Sequence, residues 1–163
     1  MAKIRKAVTV ILRLIALAAT VVAVVIMVTS KETAHVLNLT FTAKFTHTPA
    51  FKYYVVAEAI AGVYTIVALL LSSRSLLARL ILILDVVVAM VLTSSISAAL
   101  AIAQVGKHGN SHAGWLPICG QVPHYCDKLI ISLVAGFVAA LVYLLLLVYT
   151  LRAALSPVFA IKS

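Results

Sequence analysis

The chain has 163 residues, of which 64% are hydrophobic and only 10% are charged. A soluble domain of this length usually carries about a quarter charged residues, so the composition excludes a water-soluble protein and predicts an integral membrane protein. The net charge of +9 lies mostly in loops and at helix ends, with no basic patch interleaved with aromatics, so we expect no nucleic-acid partner.

Four long apolar runs predict four membrane-spanning helices. A helix needs ~20 residues to cross a hydrocarbon core of ~30 Å, and a helix satisfies its own backbone hydrogen bonds there. The predicted spans are residues 8–28, 53–71, 77–103 and 129–151, joined by loops 29–52, 72–76 and 104–128. The expected fold is a single all-α domain, 1–163, that forms a four-helix membrane bundle.

The first span follows a short basic segment, as a signal peptide would. Its apolar stretch is longer than the ~7–15 residues of a signal-peptide core, and no clear cleavage site follows it. We therefore predict a retained span. Arg13 lies inside this span, where a charge is costly unless it is paired or reaches the headgroups.

The loop after the first span contains the sequon Asn38-Leu39-Thr40. Glycans are attached to such sites in surface loops of secreted or lumenal segments, so the sequon predicts glycosylation of Asn38 and an extracellular loop. Short sequons also arise by chance, and this one lies close to the membrane, so an unused site is the alternative.

The second span carries Glu58 near its outer end. No basic residue pairs with it obviously, since Lys52 is about two helical turns away. Two interpretations stay open: a protonated acid, or an acid that faces a partner helix. Tyr53 and Tyr54 stand at the start of this span and are interpreted as aromatic anchors at the membrane interface.

The third span carries Asp85, which we expect to pair with Arg13. Both charges lie a few residues past the start of spans that run in the same direction, so both sit at ~10 Å depth. A buried intramembrane charge usually has a partner. We favour a structural ion pair over a proton or ion relay, because the sequence shows no string of further polar groups at that depth. In the alternative, Arg13 extends to the headgroups.

The loop of residues 104–128 holds the stretch GNSHAGWLPICGQVPHYCDK, with both cysteines and the only tryptophan. A Cys119–Cys126 disulfide is expected there, since the loop lies on the same, oxidising side as the sequon. Trp115 is the candidate partner-facing residue, and the alternative is that the loop merely caps the bundle. A metal site built from the two cysteines and loop histidines is a further alternative, although the spacing is not that of a zinc motif. Its histidines would be His108, His112 and His124.

Catalytic and phosphate-binding motifs are absent from the sequence. With four acidic residues in the chain, acid–base catalysis has few candidates. We therefore expect no enzyme activity and no cofactor. Small residues spaced by four mark faces for close helix packing. These pairs are Ala19 with Ala23, Ser94 with Ala98, Ser95 with Ala99, and Gly136 with Ala140.

The distribution of basic residues predicts the topology. Four spans put both termini on one side, and Lys and Arg accumulate in cytoplasmic segments. The N-terminal segment carries Lys3, Arg5 and Lys6, and the short loop between the second and third spans carries Arg74 and Arg79. We therefore expect cytosolic termini and extracellular loops 29–52 and 104–128.

Taken together, these stretches resemble the CASP-like family of plants, relatives of the Casparian strip membrane domain proteins and of the MARVEL four-helix group. The resemblance is carried by LRLIALAATVVAVVIMVTSKET, FTAKFTHTPAFKYYVVAEAIAGVY and LDVVVAMVLTSSISAALAIAQVGKHGNSHAGWLPICGQVPHYCDK, and it covers essentially the whole chain. It is most similar to the first CASP-like subfamily, for which GNSHAGWLPICGQVP is a specific signature.

The resemblance implies that Arg13 and Asp85 match the hallmark charges of the family, and that Cys119 and Cys126 match its second-loop cysteines. It also implies a plasma-membrane protein that forms homo-oligomers and hetero-oligomers with related four-span proteins. Casparian strip proteins act as scaffolds that recruit cell-wall-modifying enzymes. The first loop here, HVLNLTFTAKFTHTPAFK, departs from their characteristic segment, so the expectation is the scaffold class rather than a Casparian strip role.

The sequence thus predicts a self-associating, multi-pass plasma-membrane scaffold whose partners are related four-span proteins, membrane lipids and extracellular cell-wall enzymes. A small oligomeric channel or transporter that uses Arg13, Asp85 and Glu58 is the alternative. The scarcity of polar residues and the absence of proline inside the predicted spans argue against it.

Overall fold

The computed structural model describes residues 2–36, 39–71 and 75–160. Four α-helices run through them: Ala2–Thr29 (α1), Pro49–Leu71 (α2), Ser75–His108 (α3) and Pro123–Ala160 (α4). Each contains a stretch that is long and apolar enough to cross a membrane. Large aliphatic side chains such as Ile60 and Leu145 point outward, as contact with lipid requires. The predicted all-α, four-span membrane bundle is confirmed.

The helices extend beyond the predicted spans. α2 begins at Pro49 rather than at residue 53, and α4 begins at Pro123 rather than at residue 129. Proline is well suited to the first position of a helix, because its missing N–H would have no intrahelical acceptor there. Hydropathy detects only the part of a helix that lies in hydrocarbon, whereas the helices continue into more polar sequence.

Residues 29–52, expected to be a loop, contain a β-hairpin. Strands Lys31–Val36 (β1) and Leu39–Lys44 (β2) pair antiparallel, from Lys31 opposite Lys44 to Val36 opposite Leu39. The Thr33 and Thr42 hydroxyls are hydrogen-bonded across the strands at 3.1 Å. Threonine and the aliphatic and aromatic residues in LTFTAK favour strands, a signal that a hydropathy-based division of the chain overlooks.

The helices pack in the cyclic order α1, α2, α3, α4, and α1 closes the ring against α4. Consequently α1 faces α3, and α2 faces α4, across the interior of the bundle. The hairpin and the segment between α3 and α4 cover the same end, called here the loop end.

Small side chains fill much of the interior and let the helices approach closely. The buried alanines come from all four helices: Ala16, Ala23, Ala57, Ala61, Ala68, Ala89, Ala99, Ala139 and Ala140. Two of the predicted small-residue pairs, Ser95 with Ala99 and Gly136 with Ala140, point inward. Ser94 lies on the outer surface.

Candidate functional site

The structure brings Arg13 and Asp85 together across the interior of the bundle. Arg13 Nη2 lies 2.7 Å from Asp85 Oδ2, and the two side chains are 4% and 1% exposed. The pair therefore connects α1 to α3, the two helices that face each other across the ring. Arg13 is directed at Asp85 rather than at the headgroups.

Tyr64 of α2 completes the surroundings of the ion pair. Its hydroxyl lies 2.7 Å from Asp85 Oδ1 and 2.9 Å from the Ile81 carbonyl oxygen, and it donates its hydrogen toward both. The Arg13 guanidinium lies 5.8 Å from the centre of the Tyr64 ring, within the range of a cation–π interaction. Both carboxylate oxygens of Asp85 thus have a donor, which a buried ion pair needs in order to offset its desolvation.

A second set of contacts connects α2 to α4 across the other diagonal. The Tyr54 hydroxyl donates to the Ser132 carbonyl oxygen at 2.6 Å. The Tyr143 hydroxyl donates to the Ala61 carbonyl oxygen at 3.0 Å and also contacts the Thr65 hydroxyl. Each diagonal of the ring is therefore bridged by hydrogen bonds.

Two expectations about the interior were wrong. Tyr54, interpreted as an interface anchor, is fully buried, because its hydroxyl finds an acceptor on α4. The sequence also appeared to have no further polar groups near the ion pair, but Tyr64 and Tyr143 lie in the interior with their hydroxyls bonded. A tyrosine ring counts as apolar in a hydropathy profile, which hides the hydroxyl it carries.

Glu58 lies in the same interior, on the face of α2 that also carries Tyr54, Ala61 and Thr65. Its side chain is 0% exposed. Among the described residues, no donor lies within hydrogen-bonding distance of either carboxylate oxygen. The structure therefore does not bring Glu58 to the ion pair.

The segment between α3 and α4 is a compact loop rather than a flexible link. The N–H groups of Ile118 and Cys119 donate to the Gly106 carbonyl oxygen, at 2.9 and 3.2 Å. This carbonyl lies in the last turn of α3, where it has no donor within the helix. Asn110 and Trp115 exchange backbone hydrogen bonds of 2.8 and 2.9 Å. Gly109 has φ of +70°, and a Cβ there would lie 2.6 Å from the Trp115 carbonyl oxygen, so this turn requires glycine.

The expected disulfide is present in this loop. It joins Cys119 to Cys126, and Cys126 belongs to the first turn of α4. Both sulfur atoms are used in this bond, so neither is available as a thiolate ligand for a metal. Within the described ranges, no cluster of three or more potential metal-ligating side chains occurs. Trp115 is 56% exposed. Asn38 lies outside the described residues.

A contact that sequence analysis missed connects the hairpin to α4. The Tyr125 backbone N–H, in the first turn of α4, donates to Glu32 Oε2 of β1 at 2.8 Å. An acidic side chain at the N-terminus of a helix satisfies a free N–H and interacts favourably with the helix dipole. Because Glu32 and Tyr125 are far apart in the chain, no local sequence pattern predicts this cap.

Comparison with known proteins finds a matching family model and several relatives that cover nearly the whole chain. A family model described as "Casparian strip membrane protein domain" matches residues 2–142. The chain is 64% identical to CASP-like protein 1C2 of Ricinus communis, over 98% of each chain. It is 63% identical to CASP-like protein 1C3 of Populus trichocarpa, over 99% of each chain. It is 51% identical to CASP-like protein 1C1 of Arabidopsis thaliana, over 94% of this chain and 93% of that one.

No solved structure matches the chain significantly. The family model covers most of the chain, and the relatives agree with it over nearly their whole length. On these grounds the chain, a multi-pass membrane protein, belongs to the CASP-like family of plants and to its first subfamily.

Proposed function

We propose that this protein is a non-enzymatic scaffold of the plasma membrane, which associates with copies of itself and with related four-span proteins and so organises a membrane domain. Its family is described by the term Casparian strip membrane protein, which supports a role in the membrane itself. The ion pair and the two tyrosine bridges hold the bundle together from inside, as a rigid building block requires.

One observation carries the self-association step: an open groove on the outer surface, between α3 and α4. Its walls are formed by Val86, Met90, Thr93, Ser97, Leu144 and Leu147. The Thr93 and Ser97 hydroxyls donate to carbonyl oxygens of their own helix, at 2.8 Å each. The groove therefore combines an apolar surface with two small polar side chains whose hydroxyls are already bonded, and such a surface favours close packing of another membrane helix.

Plasma-membrane localisation and orientation are part of the same proposal. We infer that both termini are cytosolic, where the basic N-terminal residues would contact anionic headgroups, and that the loop end is extracellular. The disulfide supports this orientation, because disulfides persist in oxidising compartments. Glycosylation of Asn38 would follow from the same orientation.

The loop end offers a surface for extracellular partners. Trp115 and Leu116 are 56% and 82% exposed, and the disulfide and the backbone bonds of the loop hold them in place. Exposed apolar side chains on a rigid loop are typical of protein interaction sites. We propose that this surface recruits cell-wall-modifying enzymes.

The test of the scaffold is the assembly state in lipid nanodiscs, measured by native mass spectrometry for three proteins. Ser97→Phe fills the groove, whereas Val63→Phe places the same ring on an exposed position of α2, away from the groove. We expect a defined oligomer for the wild type and for Val63→Phe. For Ser97→Phe we expect association weaker by about tenfold or more, equivalent to about 1.4 kcal/mol. A monomeric wild type would contradict the proposal.

A small oligomeric channel or transporter is the second candidate, and the interior position of Arg13, Asp85 and Glu58 favours it. Flux of ions into liposomes that contain the purified protein discriminates between the two. The scaffold predicts no flux above that of empty liposomes. Flux that Glu58→Gln abolishes would favour the channel.

A further inference from the structure

Glu58 is a buried acidic residue whose role the proposed scaffold function does not explain. It lies in the middle of α2 and points across the ring toward α4. The ionised form of an unpaired acid is much less stable in such surroundings than the neutral form. Among the described residues, the buried basic side chain is Arg13, and it is bonded to Asp85 instead.

The space around Glu58 leaves no room for a bound metal ion. Gly136 of α4 stands directly opposite, and a Cβ at that position would lie only 2.6 Å from Glu58 Oε1. The same Cβ would collide with the Tyr54 hydroxyl oxygen. A calcium ion requires six to eight oxygen ligands, and magnesium requires about six, which this packing does not provide. A proton needs neither a cavity nor a set of ligands, so it is the cation that this packing can accept.

We propose that Glu58 is a proton-binding site in the membrane interior, and that its bound proton keeps α2 and α4 packed together. The neutral acid has a hydrogen to donate. Tyr54, one turn away on the same helix face, uses its own hydrogen toward the Ser132 carbonyl oxygen. The Tyr54 hydroxyl and the Glu58 carboxyl share the space opposite Gly136.

The contacts then continue to a third helix. The Ser132 hydroxyl donates to the Ala23 carbonyl oxygen of α1 at 2.7 Å, and it lies 3.5 Å from the Tyr54 hydroxyl. These bonds connect α2, α4 and α1 in the space next to Glu58, and a proton on Glu58 keeps that space free of an uncompensated charge. Removal of that proton leaves a carboxylate that is 0% exposed, and hydration of that carboxylate requires the helices around it to open.

The other ionisable groups of the interior lie farther along the bundle. Tyr143 of α4 bonds to the Ala61 carbonyl oxygen, about one turn beyond Glu58. Arg13 of α1 and Asp85 of α3 lie near Tyr64, which is ~9 Å beyond Glu58 along α2. Arg13 and Asp85 compensate each other, so neither supplies the net positive charge that would hold Glu58 in its ionised form.

The proposal has a direct spectroscopic test, because the chain contains only two glutamates, Glu32 and Glu58. Protein labelled with 13C at the glutamate carboxyl carbon, in the Glu32→Gln background, carries the label at Glu58 alone. We expect the carboxyl resonance in lipid bilayers at neutral pH to be that of a protonated acid. A carboxylate resonance at neutral pH would overturn the proposal. Glu58 itself is unchanged, and the amide that replaces Glu32 keeps a side-chain oxygen that can accept from the Tyr125 N–H.

A second measurement tests the coupling to helix packing. The ordinary pKa of a glutamate carboxyl is ~4.3. If the folded protein holds one proton more than the unfolded protein above that pH, the equilibrium constant of unfolding rises by about tenfold for each pH unit. We expect this dependence in the wild type and in Asp127→Asn, which removes an exposed acid. We expect its loss in Glu58→Gln, whose amide is neutral at every pH. The same pH dependence in all three proteins would overturn the coupling.

Discussion

Asp85 is bonded on both carboxylate oxygens, by Arg13 from α1 and by Tyr64 from α2. Three helices therefore meet at one side chain. A buried ion pair contributes little net stability compared with apolar residues of the same size, but the loss of one partner leaves an uncompensated charge. Helices α1 and α3 do not pack extensively against each other. We therefore interpret the ion pair as the contact that determines their relative orientation.

Removal of Asp85 alone tests this interpretation. We expect Asp85→Ala to lower the free energy of unfolding by about 3–5 kcal/mol, because Arg13 is left buried without a counter-charge. The double variant Arg13→Met with Asp85→Leu is expected to recover most of that loss. Unfolding in mixed detergent micelles measures both, and Arg79→Ala, at an exposed position, is the control. Equal destabilisation of the single and double variants would assign the effect to packing rather than to charge.

The charged pair was predictable from the sequence, whereas the tyrosines around it were not. Arg13 and Asp85 stand out because charges are rare in apolar segments, and equal depth in parallel spans suggested that they meet. Tyr54 and Tyr64 look like ordinary interfacial or apolar residues. Their roles depend on how α2 is rotated about its own axis, and an almost uniformly apolar helix carries little periodicity to specify that rotation.

Side chains of α2 reach the backbone of α4 across the ring because α4 places a glycine opposite Tyr54 and Glu58. The small-residue pair Gly136 with Ala140 was visible in the sequence, and the structure directs it inward. Its use is specific: the missing side chain at Gly136 is the space that the Tyr54 hydroxyl and the Glu58 carboxyl occupy. Gly136 therefore provides the room for Tyr54 and Glu58 on this diagonal, beside the bond from Tyr143 to the Ala61 carbonyl oxygen.

Gly136→Ala is expected to destabilise the bundle by about 1–3 kcal/mol, the usual cost of overpacking. The added methyl group collides with the Tyr54 hydroxyl and crowds Glu58. Gly120→Ala is the matched control, because a Cβ at Gly120 meets no atom within 4 Å. Thermal unfolding in detergent compares the two variants. Equal midpoints for both would show that α4 can move away from α2 at no cost.

The whole molecule joins two kinds of construction. The membrane part is held by an interior of small and hydrogen-bonded side chains, and the loop end is held by the hairpin, the Cys119–Cys126 bond and the Glu32 cap on α4. One buried cluster joins the loop end to the adjoining ends of the helices, whereas the ion pair lies outside that cluster. Damage to the loop end is therefore expected to leave the region of the ion pair intact.

The double variant Cys119→Ser with Cys126→Ser tests this separation. We expect a local cost of about 2 kcal/mol, the value typical of a bond that closes a short loop, with the helices still formed. Hydrogen exchange is expected to increase at Ile118 and Cys119, whose N–H groups end α3. Amides in the middle of α1 and α3 are expected to stay protected. Loss of protection throughout the bundle would show that the loop supports the membrane part.

Composition and the order of residues along the chain determined that this is a membrane protein with four spanning helices, because hydropathy is a local property and each span must cross the same thickness of lipid. They also singled out Arg13, Asp85 and the two cysteines. Only the tertiary structure decided the rotation of each helix, the burial of Tyr54, the isolation of Glu58 and the cap that Glu32 places on α4. These depend on contacts between distant parts of the chain, and such contacts leave no periodic trace in a sequence that is apolar on every face.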